Sequence, residues 1–315
     1  MNPRKITIIY PFAYGYIDLV VKELKSHSNI TVTEIKTDTI KYQYPNPFAK
    51  TWNGITKLFG KNIKKEYFRN QILGQVREKQ DITFIIRPDL FDVSLLEKLK
   101  KKTENFIAYY YDSCKKYPKQ VDLIPFFDEI YSYENEDIEK YNFIETSNFI
   151  YDESIVTEDI RYDIFNISSY DSRIDEINRI ANALSDAGLK IYFILFYFKK
   201  LSFPNLISVT EYLSLKETKK LISESRSMLD VQRIDQNGLS FRTFESLGYR
   251  KKLITTNKMV REYDFYHPNN ILVINSNKID TNEIKDFLRL PYVEIPQDIL
   301  KKYNLKSFTE KIFKI

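Results

Sequence analysis

Lys5-Ile-Thr-Ile-Ile-Tyr10 opens the chain, Pro11-Phe-Ala-Tyr-Gly15 follows, and the apolar residues then fall at Ile17, Val20, Val21 and Leu24. A short β-branched run, a turn and a change to helical spacing describe a strand feeding a helix. The same change of period recurs along the first half. Strands are predicted at 30–35, 82–86, 106–111 and 129–133, with helices at 62–79, around Leu95, Leu96 and Leu99, at 118–126 and at 134–141. The Pro- and Asn-bearing stretch 42–60, which holds the only tryptophan, Trp52, reads as a loop. Strand, helix, strand, helix implies a parallel sheet covered on both faces.

The periodicity lapses at 148–162, an acidic, Tyr-containing stretch read as an interdomain linker, and then restarts. Strands are expected at 162–167, 191–197, 206–209, 227–231, 252–256 and 271–274. Helices are expected over Ile174, Ile177, Ile180, Ala181 and Leu184, then at 216–224, 240–247, 282–290 and 299–315. The reading is an α/β protein of two Rossmann-like, doubly wound domains: 1–150, 151–298, and a terminal amphipathic helix at 299–315. A length of 315 residues suits two domains better than one core.

Composition narrows the function classes. A net charge of +5, spread along the chain, does not demand nucleic acid. The lysine clusters at 61–65 and 98–102 suit a solvated helix face or an anionic membrane surface. One cysteine, Cys114, excludes an internal disulfide and a cysteine-based zinc site, and two histidines leave little for a metal cage. The start of the chain lacks the apolar run of a signal peptide and no apolar run is long enough to span a membrane, so the expected location is cytoplasmic. The 24 tyrosines and 22 phenylalanines fit ring-stacking ligands, although frequent Ile, Lys and Asn make compositional bias the simpler account.

Ligands of doubly wound sheets bind outside the carboxyl ends of the strands, so the candidate sites are βα loops. The best is Asp235-Gln-Asn-Gly-Leu-Ser-Phe-Arg242, ahead of a helix carrying Glu245. Gly238 permits close backbone approach, Ser240 is a candidate N-cap, and the free amides of the helix start attract a diphosphate. Arg242 adds a forked donor for phosphate oxygens, and Glu245 suits the hydroxyls of a ribose; the alternative is an i,i+3 ion pair. No two aspartates are separated by a single residue, so an Asp-x-Asp metal clamp is absent and no metal is expected. Phosphate charge then falls to Arg, Lys and helix dipoles. Candidate bases are Asp18 and Asp112, with Asp89 as a third, all near strand ends of the first domain. Of His27 and His267, only the second is expected near the donor site.

Gly238-Leu-Ser-Phe-Arg-Thr-Phe-Glu-Ser-Leu-Gly-Tyr-Arg-Lys-Lys-Leu-Ile-Thr-Thr-Asn257, with Tyr263-Asp-Phe-Tyr266 and Asn269-Asn-Ile271, resembles the donor-binding segment of bacterial GT-B glycosyltransferases of capsule and lipopolysaccharide synthesis. Tyr162-Asp-Ile-Phe-Asn-Ile-Ser-Ser169 with Arg173 resembles the first strand and loop of the same domain. Tyr109-Tyr-Tyr-Asp-Ser113 and residues 126–137 resemble the acceptor-side domain. The resemblance implies two domains facing a central cleft, with the terminal helix crossing back to the first. It implies a sugar moved from a nucleotide-sugar co-substrate to a saccharide or lipid-linked saccharide, with peripheral contact at the inner membrane face.

In that scheme Glu245 holds the ribose, and Arg242 with the 238–240 loop, Leu239 included, holds the diphosphate. Tyr212 lines the base pocket, Arg173 and Lys199 or Lys200 add phosphate contacts, and Asn237 and Asp235 face the donor sugar. Two positions depart from the pattern: Asn237 stands where many retaining members carry the first of two glutamates, and Ser168 replaces a glycine. A catalytically silent GT-B subunit and a nucleotide-sugar epimerase are the alternatives, the latter poorly served by two histidines.

Overall fold

A computed structural model describes residues 3–58, 62–156 and 158–315. Gly60, Lys61 and Thr157, which belong to the loop, basic cluster and linker read above, lie outside the described residues. Contacts divide the chain into two compact units. One comprises Met1–Ala13, Ile17–Ser132 and Tyr141–Ile144; the other comprises Tyr14–Tyr16, Tyr133–Lys140 and Glu145–Ile315. The division thus falls after Ile144 rather than at 150, and two short stretches of the first half are counted with the second unit.

The first half runs β1 (Arg4–Tyr10), α1 (Tyr16–Lys25), β2 (Ile30–Lys36), α2 (Pro47–Leu58), α3 (Ile63–Gln75), β3 (Gln80–Ile86), α4 (Val93–Lys101), β4 (Thr103–Tyr110), α5 (Lys119–Leu123), β5 (Glu129–Ser132), α6 (Asn135–Tyr141) and β6 (Ile144–Glu145). Its six strands lie in the order β2-β1-β3-β4-β5-β6, and the pairs from β2 through β5 are parallel. Ile6, Ile8, Ile9, Ile82, Phe84 and Ile85 are buried on both faces, the reason these strands read as unbroken apolar runs.

The second half runs β7 (Tyr162–Ser169), α7 (Ile174–Asp186), β8 (Ile191–Phe196), β9 (Ile207–Val209), α8 (Leu215–Ser223), β10 (Ser225–Asp230), α9 (Phe241–Gly248), β11 (Lys252–Thr255), β12 (Ile271–Val273), α10 (Thr281–Arg289), α11 (Gln297–Lys302) and α12 (Leu305–Phe313). All pairs of its six-stranded sheet, β12-β11-β10-β7-β8-β9, are parallel. Adjacent strand residues point to opposite faces. Phe165, Met228 and Leu253 therefore pack with Phe244 and Leu247 of α9, while Ile164, Leu229 and Ile254 pack with Ile177, Ile180 and Leu184 of α7. The strand order reverses between β1 and β3 in one sheet and between β7 and β10 in the other, which is the doubly wound pattern.

Several expectations are corrected. Residues 47–58, read as loop, form α2. The helix expected over 62–79 ends at Gln75. The single terminal helix is two, because Asn304 accepts a hydrogen bond from Ser307 N and caps a new start. Both belong to the second unit. His267 precedes β12, where Asn270 O accepts from Leu253 N at the amino end of the sheet, opposite the ligand-binding edge. Among the described residues no helix is long and apolar enough to cross a membrane.

Candidate functional site

At the switch point of the second sheet, the loops after β7 and β10 are tied by one carboxylate. Asp171 accepts from Arg173 Nε at 2.9 Å and Nη2 at 2.7 Å, and from Arg233 Nη1 at 3.2 Å. Arg173 also donates to Val231 O at 2.7 Å, and Arg233 to Asp235 at 3.2 Å. Burial works to raise the Asp171 carboxyl, but Arg173, with Arg233, outweighs it and holds it below the usual carboxylate range. Beneath them Asp230, the last residue of β10, is fully buried; burial pushes its carboxyl up against the opposing pull of Arg173, Ser240 and Arg242.

Beside this charged pair lies an aromatic platform at the carboxyl ends of β7, β8 and β9. Tyr212 stacks on Phe196 with ring centroids 3.6 Å apart and meets the edge of Tyr14 at 4.9 Å. Tyr170 and Tyr197 are 4.6 Å apart, Tyr197 and Phe198 4.0 Å, and Lys199 Nζ sits 5.6 Å from the Phe198 ring. Phe198, Tyr170 and Tyr212 remain exposed. Lys199 and Lys200 are exposed in the same loop.

Around α9 the geometry differs from expectation. Ser240 caps the helix, accepting from Arg242 N at 3.1 Å, and Leu239 is buried. Arg242 and Glu245, however, face each other as an i,i+3 ion pair. Glu245 Oε1 also accepts from Tyr16 Oη at 3.0 Å and Tyr151 Oη at 2.7 Å, and Arg242 Nη2 donates to Tyr16 Oη at 2.8 Å. The Glu245 side chain is 0% exposed, so a ribose would have to displace these partners to reach it. Burial pushes the Glu245 carboxyl up, while Arg242 and the tyrosines oppose; burial works to lower the Arg242 guanidinium, but Glu245, Tyr16, Tyr151 and Asp230 together outweigh it and push it up.

Gly238 does permit close approach, but to protein: a Cβ there would lie 2.0 Å from Tyr133 Cδ2 and 2.5 Å from Tyr133 O. The amides of Asn237 and Gly238 donate to Glu134 Oε2 at 2.7 and 3.3 Å, so a side-chain carboxylate occupies the place read as a phosphate cradle. Asn237 Nδ2 donates to Glu136 at 2.6 Å, and Asp235 pairs with Arg233.

In the first unit, Asp18 pairs with Lys36 and accepts from Tyr10 Oη at 2.7 Å. Asp112 is nearly buried, with Lys116 at 2.5 Å and Arg87 at 3.8 Å. Both expected bases therefore sit in ion pairs. Arg87 itself ends β3 in the left-handed region at φ 60°, bonded to Asp89 and 3.5 Å from the Tyr117 ring centroid. Arg87, Asp171, Arg233 and Tyr16 were not singled out in the sequence; their only signal is a place in or beside loops after strands. Among the described residues no three of His, Cys, Asp and Glu gather as a metal site.

No protein-family profile and no curated protein matches the sequence. Solved structures do resemble the chain. An α,α-trehalose-phosphate synthase (UDP-forming) from Burkholderia vietnamiensis superposes with TM-score 0.60 at 11% identity, covering 99% of both chains. The catalytic domain of starch synthase IV from Arabidopsis thaliana, bound to ADP and acarbose, gives 0.58 at 10% identity, covering 100% of this chain and 98% of that one. A UDP-N-acetylglucosamine 2-epimerase from Rickettsia bellii gives 0.50 at 8%, covering 99% and 96%. Identities this low establish the fold alone: the chain has the two-domain, Rossmann-like GT-B fold.

Proposed function

We propose that the protein is a glycosyltransferase whose second unit binds a nucleotide-sugar donor. The observation that carries this is the pairing, at the reversal point of the second sheet, of Arg173 and Arg233 with the exposed rings of Tyr212, Tyr170 and Phe198. Guanidinium forks suit phosphate oxygens and stacked rings suit a nucleobase. The donor diphosphate is assigned to Arg233, Arg173 and Lys199, and the base to the Tyr212–Phe196 platform. The sugar is transferred without a metal to a hydroxyl of a saccharide or lipid-linked saccharide, in surface polysaccharide synthesis at the cytoplasmic side of a membrane. The structures that share this fold, a UDP-forming synthase and an ADP-bound starch synthase, support a nucleotide donor.

One observation favours a second reading, a subunit that binds the nucleotide-sugar without transferring it. The Glu134 carboxylate fills the amides of the α9 loop, and Glu245 is closed by Arg242, Tyr16 and Tyr151.

Thermal stabilisation by a panel of nucleoside diphosphates and their sugars tests donor binding. Arg233→Ala and Tyr212→Ala are each expected to weaken the responding nucleotide by about tenfold, the size of a lost charged hydrogen bond or ring contact. Absence of any response sinks the donor site. Binding without nucleotide release, on any saccharide acceptor, selects the second reading.

A further inference from the structure

Helix α2 is built inside out. Its inner side is small and polar: Asn53, 1% exposed, donates to Tyr44 Oη at 2.6 Å and accepts from Ile63 N at 2.9 Å, with Ala49 and Thr56 on the same side. Its apolar side faces outward. Phe48 is 80% exposed, Trp52 56% and Ile55 45%, and their spacing of four and three residues stacks them as one stripe. An ordinary amphipathic helix buries such a stripe in the core. Here Asn53 fixes the opposite orientation.

The surrounding charge says what could cover the stripe. From residue 39 to 65 the chain contains no Asp or Glu, but Lys41, Lys50, Lys57, Lys61, Lys64 and Lys65. We infer that α2 docks on an anionic lipid bilayer, with Phe48, Trp52 and Ile55 entering the headgroup boundary and the lysines of this segment drawn to its negative surface. Aromatic and aliphatic residues on one helix side, within a segment of unmixed positive charge, are the features of interfacial membrane helices. A second copy of the chain is the poorer occupant, since a symmetric contact would set this all-basic segment against itself. The inference extends the lipid-linked-acceptor reading and rests on it for its purpose, while the docking itself is read from α2.

Trp52, the only tryptophan, is a built-in reporter. The full chain is mixed with vesicles of phosphatidylcholine, with or without phosphatidylglycerol, and followed by flotation, Trp52 emission and quenching by brominated lipid. Flotation, a blue shift and quenching are expected with the anionic vesicles and are lost in high salt. Phe48→Glu with Ile55→Glu should lower partitioning by about tenfold or more, since both apolar contacts go. Lys50→Glu with Lys57→Glu should abolish the preference for anionic lipid. Unchanged Trp52 emission, or a double glutamate variant that floats like the parent, overturns the inference. So does a shift that follows protein concentration without lipid, which identifies a second copy as the occupant. Nucleotide binding measured without vesicles stays intact in these variants, reports that they are folded, and separates failure of docking from failure of the donor site.

Discussion

Arg242 and Glu245 show how far residue chemistry can be read from spacing. Their types and their place at the start of α9 suit a phosphate and a ribose, and the i,i+3 separation equally suits an ion pair. The deciding partners, Tyr16 and Tyr151, stand 229 and 94 residues away from Glu245 and leave no local trace. Removing one member of a buried pair strands the other charge, at a cost of about 3–5 kcal/mol, whereas removing both together is far cheaper. Glu245→Leu and Arg242→Met are therefore each expected to lower stability by about that amount in urea denaturation, with the double variant well short of the sum. Additive losses would mean that the pair is not coupled. The same logic separates Arg233 from Arg242: the first is part-exposed over Asp171 and can lose its side chain with little harm to the fold.

At the scale of elements, the regular alternation was legible because buried parallel strands and amphipathic helices write different periods. The misread element, α2, begins at Pro47 in the Pro- and Asn-bearing stretch read as a loop, and it also carries Gly54. Pro47 is tolerated at the first helical position, and Asn46 caps the start by accepting from Ala49 N at 2.8 Å. Gly54 costs the helix about 1 kcal/mol, too little to break it. Nothing lies within 4 Å of where a Gly54 Cβ would be. Gly54→Ala is thus expected to raise stability by about 0.5–1 kcal/mol, read from a shifted denaturation midpoint. No gain would mean that the segment is not helical in solution. The split between α11 and α12 escaped notice for a complementary reason: Asn304 looks like a mid-helix polar residue until it is seen to cap.

At the scale of the molecule, two α/β domains followed from length and alternation, but the strand orders did not. Which loops are neighbours depends on those orders, so the meeting of Arg173 with Arg233 on Asp171 was beyond reach of the sequence, although each residue lies in a βα loop of the expected kind. Each compact unit has its own sheet, and the proposed donor residues all lie in the second. Calorimetry is therefore expected to resolve two transitions, of which a bound nucleotide raises only one, by about 2.7 kcal/mol at a hundredfold excess over Kd. A shift of both, or a single transition, would contradict that partition.

Tyr16 carries a consequence for biosynthesis. It is nearly inaccessible, stacked on Phe241 with ring centroids 3.7 Å apart, and counted with the second unit although the chain on either side of Tyr14–Tyr16 belongs to the first. Its partner Glu245 is 229 residues further along, so at ~5–20 residues per second a nascent chain waits roughly 10–50 s for it. For that interval the β1–α1 turn is outside the ribosome with its tyrosine unburied, and Tyr16 finds its place only once most of the second unit has been made.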